Sequence, residues 1–314
     1  MSRWDISDPD RTPSAEPPGP AGHRTKESEN TAPAVGRGGT RETSPEETQR
    51  TPWPERETAR TPADRRQQYT DRGRTYSLRD SELEAMGEIG RFRTSDIQDL
   101  GRFVYRGDQA RMKYDLENLR NQGLIEEKTF FRAHKSARKM VTLTEQGYRV
   151  ARKKSGLPEG QRIYHGFVKP REIEHDADLY KVYQRAVKEI REKDGRVLRV
   201  RLDFELKETI NRAKEAASRL PEEERATVLK AVANDNGLSV RDSKIHLPDI
   251  QVEYETREGT VQRENLELLS RNYREEGIRG KAAAGFKIYA RTGEASRVRR
   301  ALQDTGLMRE VLSV

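Results

Sequence analysis

Pro248-Asp249, at the head of an alternating run, and Glu267, further along the next one, are two carboxylates that could together hold a metal ion. Two carboxylates are ligands that a magnesium ion accepts, and a lysine beside them activates water or balances phosphate charge. Their meeting depends on a turn. Arg257-Glu258-Gly259 reads as a three-residue hairpin loop with glycine in the left-handed position. Pairing Thr256 with Thr260 then sets Asp249 opposite Glu267, both on one face at one end of the hairpin. Leu268-Leu269 follow Glu267, so the lysine position of a Glu-x-Lys pattern is apolar, and the pair reads as vestigial unless Lys281 or Lys287 reaches it through the fold. Glu205-Leu206-Lys207 is a literal Glu-x-Lys, but it stands where a strand gives way to a helix and reads as charged surface. His175-Asp176 and His246 offer imidazoles for acid–base or metal chemistry near neutral pH. None of the five histidines forms a ligand-spaced pair, and His175 reads as a helix cap or packing residue. With no Walker loop, dinucleotide fingerprint or Gly-x-Ser-x-Gly elbow, no small-molecule substrate is indicated. No cofactor is expected beyond magnesium at Asp249 and Glu267, should that site work.

The other chemistry is charge. Lys and Arg number 61 against 53 Asp and Glu, a net +8 with a pI near 9.5, which puts nucleic acid first among partners. The absence of cysteine excludes disulfide scaffolds, thiolate zinc sites, iron–sulfur clusters and cysteine nucleophiles, and fits a reducing cytoplasm. Neither a signal peptide nor a membrane-spanning run is expected. The 314 residues predict about two domains. A hydrophobic content of 32% is low for such a chain, so some long stretch is expected to build no core. That stretch is 1–75, which holds ten of the fourteen prolines and equal numbers of acidic and basic residues, and is expected to be disordered. The whole positive excess therefore belongs to residues 76–314. Arg-Thr-Pro recurs in the tail at Arg11, Arg50 and Arg60, a triplet that biased composition generates readily.

Over 76–156 the pattern predicts three short helices and a hairpin. Leu83, Met86, Ile89 and Phe92 recur at helical spacing behind Ser81 as N-cap; Thr94-Ser95-Asp96-Ile97 opens a second helix; Gly107-Asp108 opens a third, striped by Met112, Leu116 and Leu119 and stopped by Gly123. "DLENLRNQGLIEEK" followed by "MVTLTEQGYRVARK" resembles the winged helix-turn-helix family. That resemblance implies a recognition helix over 108–121, with Gln109, Arg111, Lys113 and Tyr114 entering the major groove of duplex DNA. The wing and the next helix carry Arg132, Lys135, Arg138, Lys139, Arg149, Arg152, Lys153 and Lys154 against the single acid Glu145, a natural set of phosphate contacts.

A linker is expected over 157–171, then a second domain over 172–314: a helix at 172–194, a strand at 197–204, a helical insertion about 207–236, a hairpin of 250–256 with 261–269, a helix, a strand at 286–290 and a last basic helix. The fold class expected is therefore α+β. The order of elements resembles the αβββαβ core of the restriction-endonuclease-like fold. "HDADLY", "RLDFELK", "LPDIQVEYE", "ENLELLSRNYR" and "KAAAGFKIYA" resemble the replication-relaxation family of mobile genetic elements, in which a winged helix precedes a nuclease-like domain. The resemblance implies a DNA-binding protein of a plasmid or integrative element, with replication or conjugation proteins as further partners. An active metal-dependent nuclease, and a protein–protein adaptor or transcriptional regulator, are the alternatives.

Overall fold

A computed structural model describes residues 65–131, 137–167, 170–241, 243–269, 273–291, 293–303 and 312–313. All of the described residues belong to one unit of the chain. The tail expected over 1–75 lies outside the described residues as far as residue 64. Its last residues are ordered, which corrects the boundary. Strands β1 (Gln67–Asp71) and β2 (Arg74–Leu78) form an antiparallel hairpin. Arg72 and Gly73 both adopt positive φ at its turn, the geometry that matches a two-residue connection to the twist of its strands. Tyr76 and Leu78 are buried, so the hairpin is anchored by one face of its second strand.

Helix α1 (Asp80–Phe92) comes next, then β3 (Ser95–Asp96), α2 (Ile97–Phe103), α3 (Gln109–Asn121), β4 (Ile125–Phe131), β5 (Ala137–Leu143) and α4 (Glu145–Lys154). The strands form a sheet in the order β3-β5-β4, all antiparallel. Local chemistry fixes the helix starts. Asp96 accepts from the Gln98 N–H, Asp108 from the Arg111 N–H, and the Thr144 hydroxyl from the Gly147 N–H. Ser81 is not the cap of α1: it lies one residue inside the helix and donates to Asp115 at 2.5 Å, while Glu82 accepts the Arg79 N–H. The stop after α3 is Gly123, at φ +71.

The segment expected as a linker is packed down. Ile163 is buried, the Tyr164 N–H donates to Gly90 O, and the Gly166 N–H to Leu143 O. Helix α5 (Pro170–Arg191) then serves both halves. Phe92 and Phe103 meet Tyr180 edge-on, Phe92 also meets Tyr183, and a single apolar core runs from Leu78 and Phe92 through Val182 and Ala186 to Val200, Ile250 and Leu266.

The second sheet has five strands among the described residues. Strand β6 (Arg196–Leu202) pairs antiparallel with β9 (Ile250–Glu255), which pairs antiparallel with β10 (Val261–Leu269). Beyond β10, β11 (Lys287–Ala290) and β12 (Leu312–Ser313) add in parallel. Between β6 and β9 come α6 (Asp203–Ala216), α7 (Glu222–Asp235) and the small pair β7 (Val240–Arg241) and β8 (Lys244–Ile245); α8 (Glu275–Ala283) links β10 to β11, and α9 (Ala295–Gln303) comes after β11. Strand β6 stops at Leu202 rather than continuing through Phe204. Glu205 accepts the Leu202 N–H, and Lys207 pairs with Asp203 one helical turn away, so Asp203 already opens α6. The literal Glu-x-Lys at Glu205 is therefore helical. The whole described chain is a mixed α+β structure, and no helix among the described residues is long and apolar enough to cross a membrane.

Candidate nucleic-acid interface and carboxylate site

Helix α3 is held by its buried stripe of Met112, Leu116 and Leu119 and by Asp115, a buried acid on which Arg79, Ser81 and Arg111 converge. This divides the four expected base-reading residues. Gln109, Lys113 and Tyr114 face outward, and Tyr114 is 53% exposed although large and aromatic. The Arg79 guanidinium lies 4.7 Å from the Tyr114 ring centroid and that of Arg66 5.5 Å, so the ring carries positive charge on its face. Arg111 is half-buried and turned back, its guanidinium 3.4 Å from the Ser81 hydroxyl and 4.0 Å from Asp115. Arg120, further along the helix, is exposed, and nothing in the sequence pattern singles it out as an interface residue.

The expected phosphate contacts also divide. Arg132 and Lys135 lie outside the described residues, and Lys139 is exposed on β5. Arg138 is a correction. Strand alternation turns it to the opposite face from Lys139, where it is only 9% exposed and pairs with Asp96 at 2.5 Å, Asp178 of α5 at 3.3 Å and Asp99 at 3.8 Å. It ties the loop end of the β4–β5 hairpin to α5 and is not placed to meet a phosphate. Burial raises Asp99 to about 6 against the pull of Lys181 and Arg138. Burial would raise Asp178 too, but Arg291, Lys181 and Arg138 outweigh it and hold its carboxyl below the usual range. On α4, Arg149 and Lys153 close onto Asp71 at 2.9 and 2.7 Å, leaving Arg152 and Lys154 exposed.

In the second sheet the register of Leu266 with Ile250 brings Asp249 and Glu267 together as the hairpin loop requires. Glu267 Oε2 accepts the Asp249 N–H at 3.3 Å, and Asp249 Oδ2 accepts the Leu268 N–H at 2.9 Å. The lysine that sequence adjacency denies the site comes from α8. Lys281 Nζ lies 3.0 Å from Glu267 Oε1 and donates to Leu247 O, whereas Lys287 on β11 is engaged by Glu189 and Glu264. The pair therefore does not lack a lysine, as the apolar Leu268-Leu269 suggested: Lys281, in the second turn of α8, returns an ammonium to the strand end. Tyr273 donates to Glu267 Oε1 at 2.6 Å, and His175 Nε2 stands 3.6 Å from Asp249 Oδ2. His175 thus contacts the carboxylate site instead of capping α5. Tyr273 has no signal in the sequence. Burial would raise Asp249, but His175, Lys281 and the Leu268 N–H hold its carboxyl low. Burial and the adjacent Asp249 push Glu267 up, against Lys281 and Tyr273.

Two carboxylates offer the hard oxygens that magnesium takes, and the positive groups around them balance their charge. Both acids are buried, and each already accepts hydrogen bonds from the protein, so a metal would replace some of these. Among the described residues no group of three or more His, Asp or Glu is clustered as a metal site.

No protein-family model matches the chain, and no curated protein does. Among solved structures the chain is similar to Bacillus subtilis PadR in complex with operator DNA, at 14% identity over 50% of this chain and 91% of that one, with a TM-score of 0.21. Likeness of that degree does not establish a shared fold.

Proposed function

We propose that the chain binds duplex DNA, with α1 to α4 acting as a winged helix-turn-helix in which α3 reads the major groove and β4–β5 is the wing. The observation that carries this reading is the outward face of α3. Gln109, Lys113, Tyr114 and Arg120 stand exposed on a helix whose other face is locked by buried apolar residues and by the Asp115 network. The same face carries the Glu117 carboxylate, and Arg120 lies 3.6 Å from Glu127, but the amide, ammonium, phenol and guanidinium groups of this helix supply both base-edge donors and phosphate contacts. Lys139 is exposed on the hairpin, and Arg152 and Lys154 are exposed on α4. The replication-relaxation resemblance gives this binding its context: a plasmid or integrative element, with replication or mobilisation as the process served. Titrating labelled duplexes with the full chain and with K113A/Y114A/R120A tests the reading; equal affinity of parent and variant would overturn it.

Lys281 favours a second reading, a metal-dependent nuclease. The α5-β6-β9-β10-α8-β11 order then corresponds to a restriction-endonuclease-like core. Magnesium bound by Asp249 and Glu267 would supply Lewis-acid polarisation of a phosphodiester. Lys281 would hold positive charge beside the phosphate, and His175 would keep Asp249 ionised. Nicking of supercoiled DNA with magnesium or manganese that disappears in D249A/E267A and in K281A is the result this reading requires.

A further inference from the structure

The sheet face that carries Asp249 and Glu267 continues along the strands into a second polar group. One side-chain repeat on, about 7 Å along the strand, Gln251 and Asn265 stand on β9 and β10, with Arg201 beside Gln251 in register on β6. A repeat further, Glu253 faces both Arg263 and Arg199. The opposite face is apolar: Val200, Leu202, Ile250, Val252, Leu266 and Leu268 are buried in the core.

Three arginines thus crowd one acid. Glu253 accepts from Arg263 at 2.8 Å and lies 3.7 Å from Arg199. Arg201 is 8% exposed; its terminal nitrogens donate to Gln251 Oε1, Asn236 Oδ1 and Asn236 O, and its Nε has no hydrogen-bond partner among the described residues. Burial, then repulsion from Arg199 and Arg263, lowers Arg201 to about 10. A buried guanidinium beside two others is a place that an anion would stabilise.

What occupies the donors is the turn that ends α7. Asp235 O accepts from Arg263 at 2.8 Å, Asn236 O from Gln251 at 2.9 Å and from Arg201 at 3.3 Å, and Gly237 O from Asn265 at 2.9 Å. The last carbonyls of a helix carry partial negative charge and no intrahelical partner, so they engage the same donors that phosphate oxygens would take. Gly237 is required for this approach: at φ +66, a Cβ there would come within 2.9 Å of Arg263 Cδ.

We propose that Arg201, Arg199 and Arg263, with Gln251 and Asn265, form a phosphate-binding site for the backbone of a nucleic-acid strand, and that the C-terminal turn of α7 closes it by occupying the donors. The site is separate from α3 and needs no cleavage at Asp249 and Glu267. An arginine fork takes two phosphate oxygens at once, which a helix carbonyl cannot match.

The test uses the full chain in a K113A/Y114A/R120A background, which removes the proposed α3 interface, titrated by calorimetry with inorganic pyrophosphate and with a short single-stranded oligonucleotide. Saturable binding of both is expected, weakened by roughly tenfold or more, a difference of about 1.4 kcal/mol, in R199A/R263A and in R201K. Arg199 and Arg263 are only part-buried, so their replacement keeps the test available if R201K folds poorly. G237A, which strains the closing turn, is expected to bind both probes more tightly. Absence of saturable binding, or binding equal in R199A/R263A, would overturn the site. Binding of pyrophosphate without the oligonucleotide would overturn the strand as its ligand. Duplex binding by the parent α3 face is measured separately, so its failure would leave this result standing.

Discussion

Replacing Arg138 by glutamine separates a structural arginine from a DNA contact. Arg138 is buried between Asp96, Asp99 and Asp178, and the substitution leaves three acids with one cation fewer. Asp178 keeps Lys181 at 3.3 Å and Arg291 at 2.8 Å, and Asp96 keeps the Gln98 N–H, so compensation is partial. Breaking one side of a buried ion pair costs about 3–5 kcal/mol, and the surviving partners argue for the lower end. At roughly 2–4 °C per kcal/mol for a unit of this size, the melting temperature of R138Q should fall by about 6–12 °C. Thermal unfolding followed by circular dichroism measures this, and D96N/R138Q should recover part of the loss because it removes both charges of the shortest pair. Duplex affinity is read on the same preparations below the melting range, where R138Q should bind as the parent does. An unchanged melting temperature together with weaker binding to every duplex would return Arg138 to the phosphate contacts.

The same geometry sets three further outcomes. Asp99 is raised from 3.8 to about 6, so between these values the folded chain holds a proton that the unfolded chain releases; stability should fall as pH rises through that window, and D99N should flatten the fall in a pH series of denaturant melts. A chain beginning at residue 73 lacks β1, the Arg66–Glu82 pair and Asp71, the acid between Arg149 and Lys153, and should melt below one beginning at residue 65. Leu119→Ala, at a fully buried position on α3, should cost about 2–5 kcal/mol in a urea titration without changing the exposed groups of that helix.

Periodicity and turn chemistry made much of this structure legible. The stripe of Met112, Leu116 and Leu119 marks α3, and the loop at Gly259 sets the register that joins Asp249 to Glu267, because both depend on residues close in sequence. Hairpin β1–β2 escaped because its strands, QQYTD and RTYSL, are mostly polar and bury few apolar side chains. Arg138 escaped for a different reason: in a basic run it looks like surface, and the acids that draw it inward, Asp96, Asp99 and Asp178, all lie about forty positions away in sequence. Lys281 was one of two candidates by sequence, and only the path of α8 decides between it and Lys287. The polar sheet face of Arg201, Gln251 and Asn265 had no local signature, since alternation marks a face without saying what covers it.

Duplex binding through α3 stands or falls on the salt dependence of affinity, measured side by side for parent and K113A/Y114A/R120A. The parent should bind tightly, with the logarithm of its affinity falling linearly with the logarithm of salt concentration. The variant should bind more weakly, with a slope shallower by about 0.9 for each phosphate it no longer neutralises. Parent and variant lines that coincide in both level and slope would contradict a DNA-reading α3.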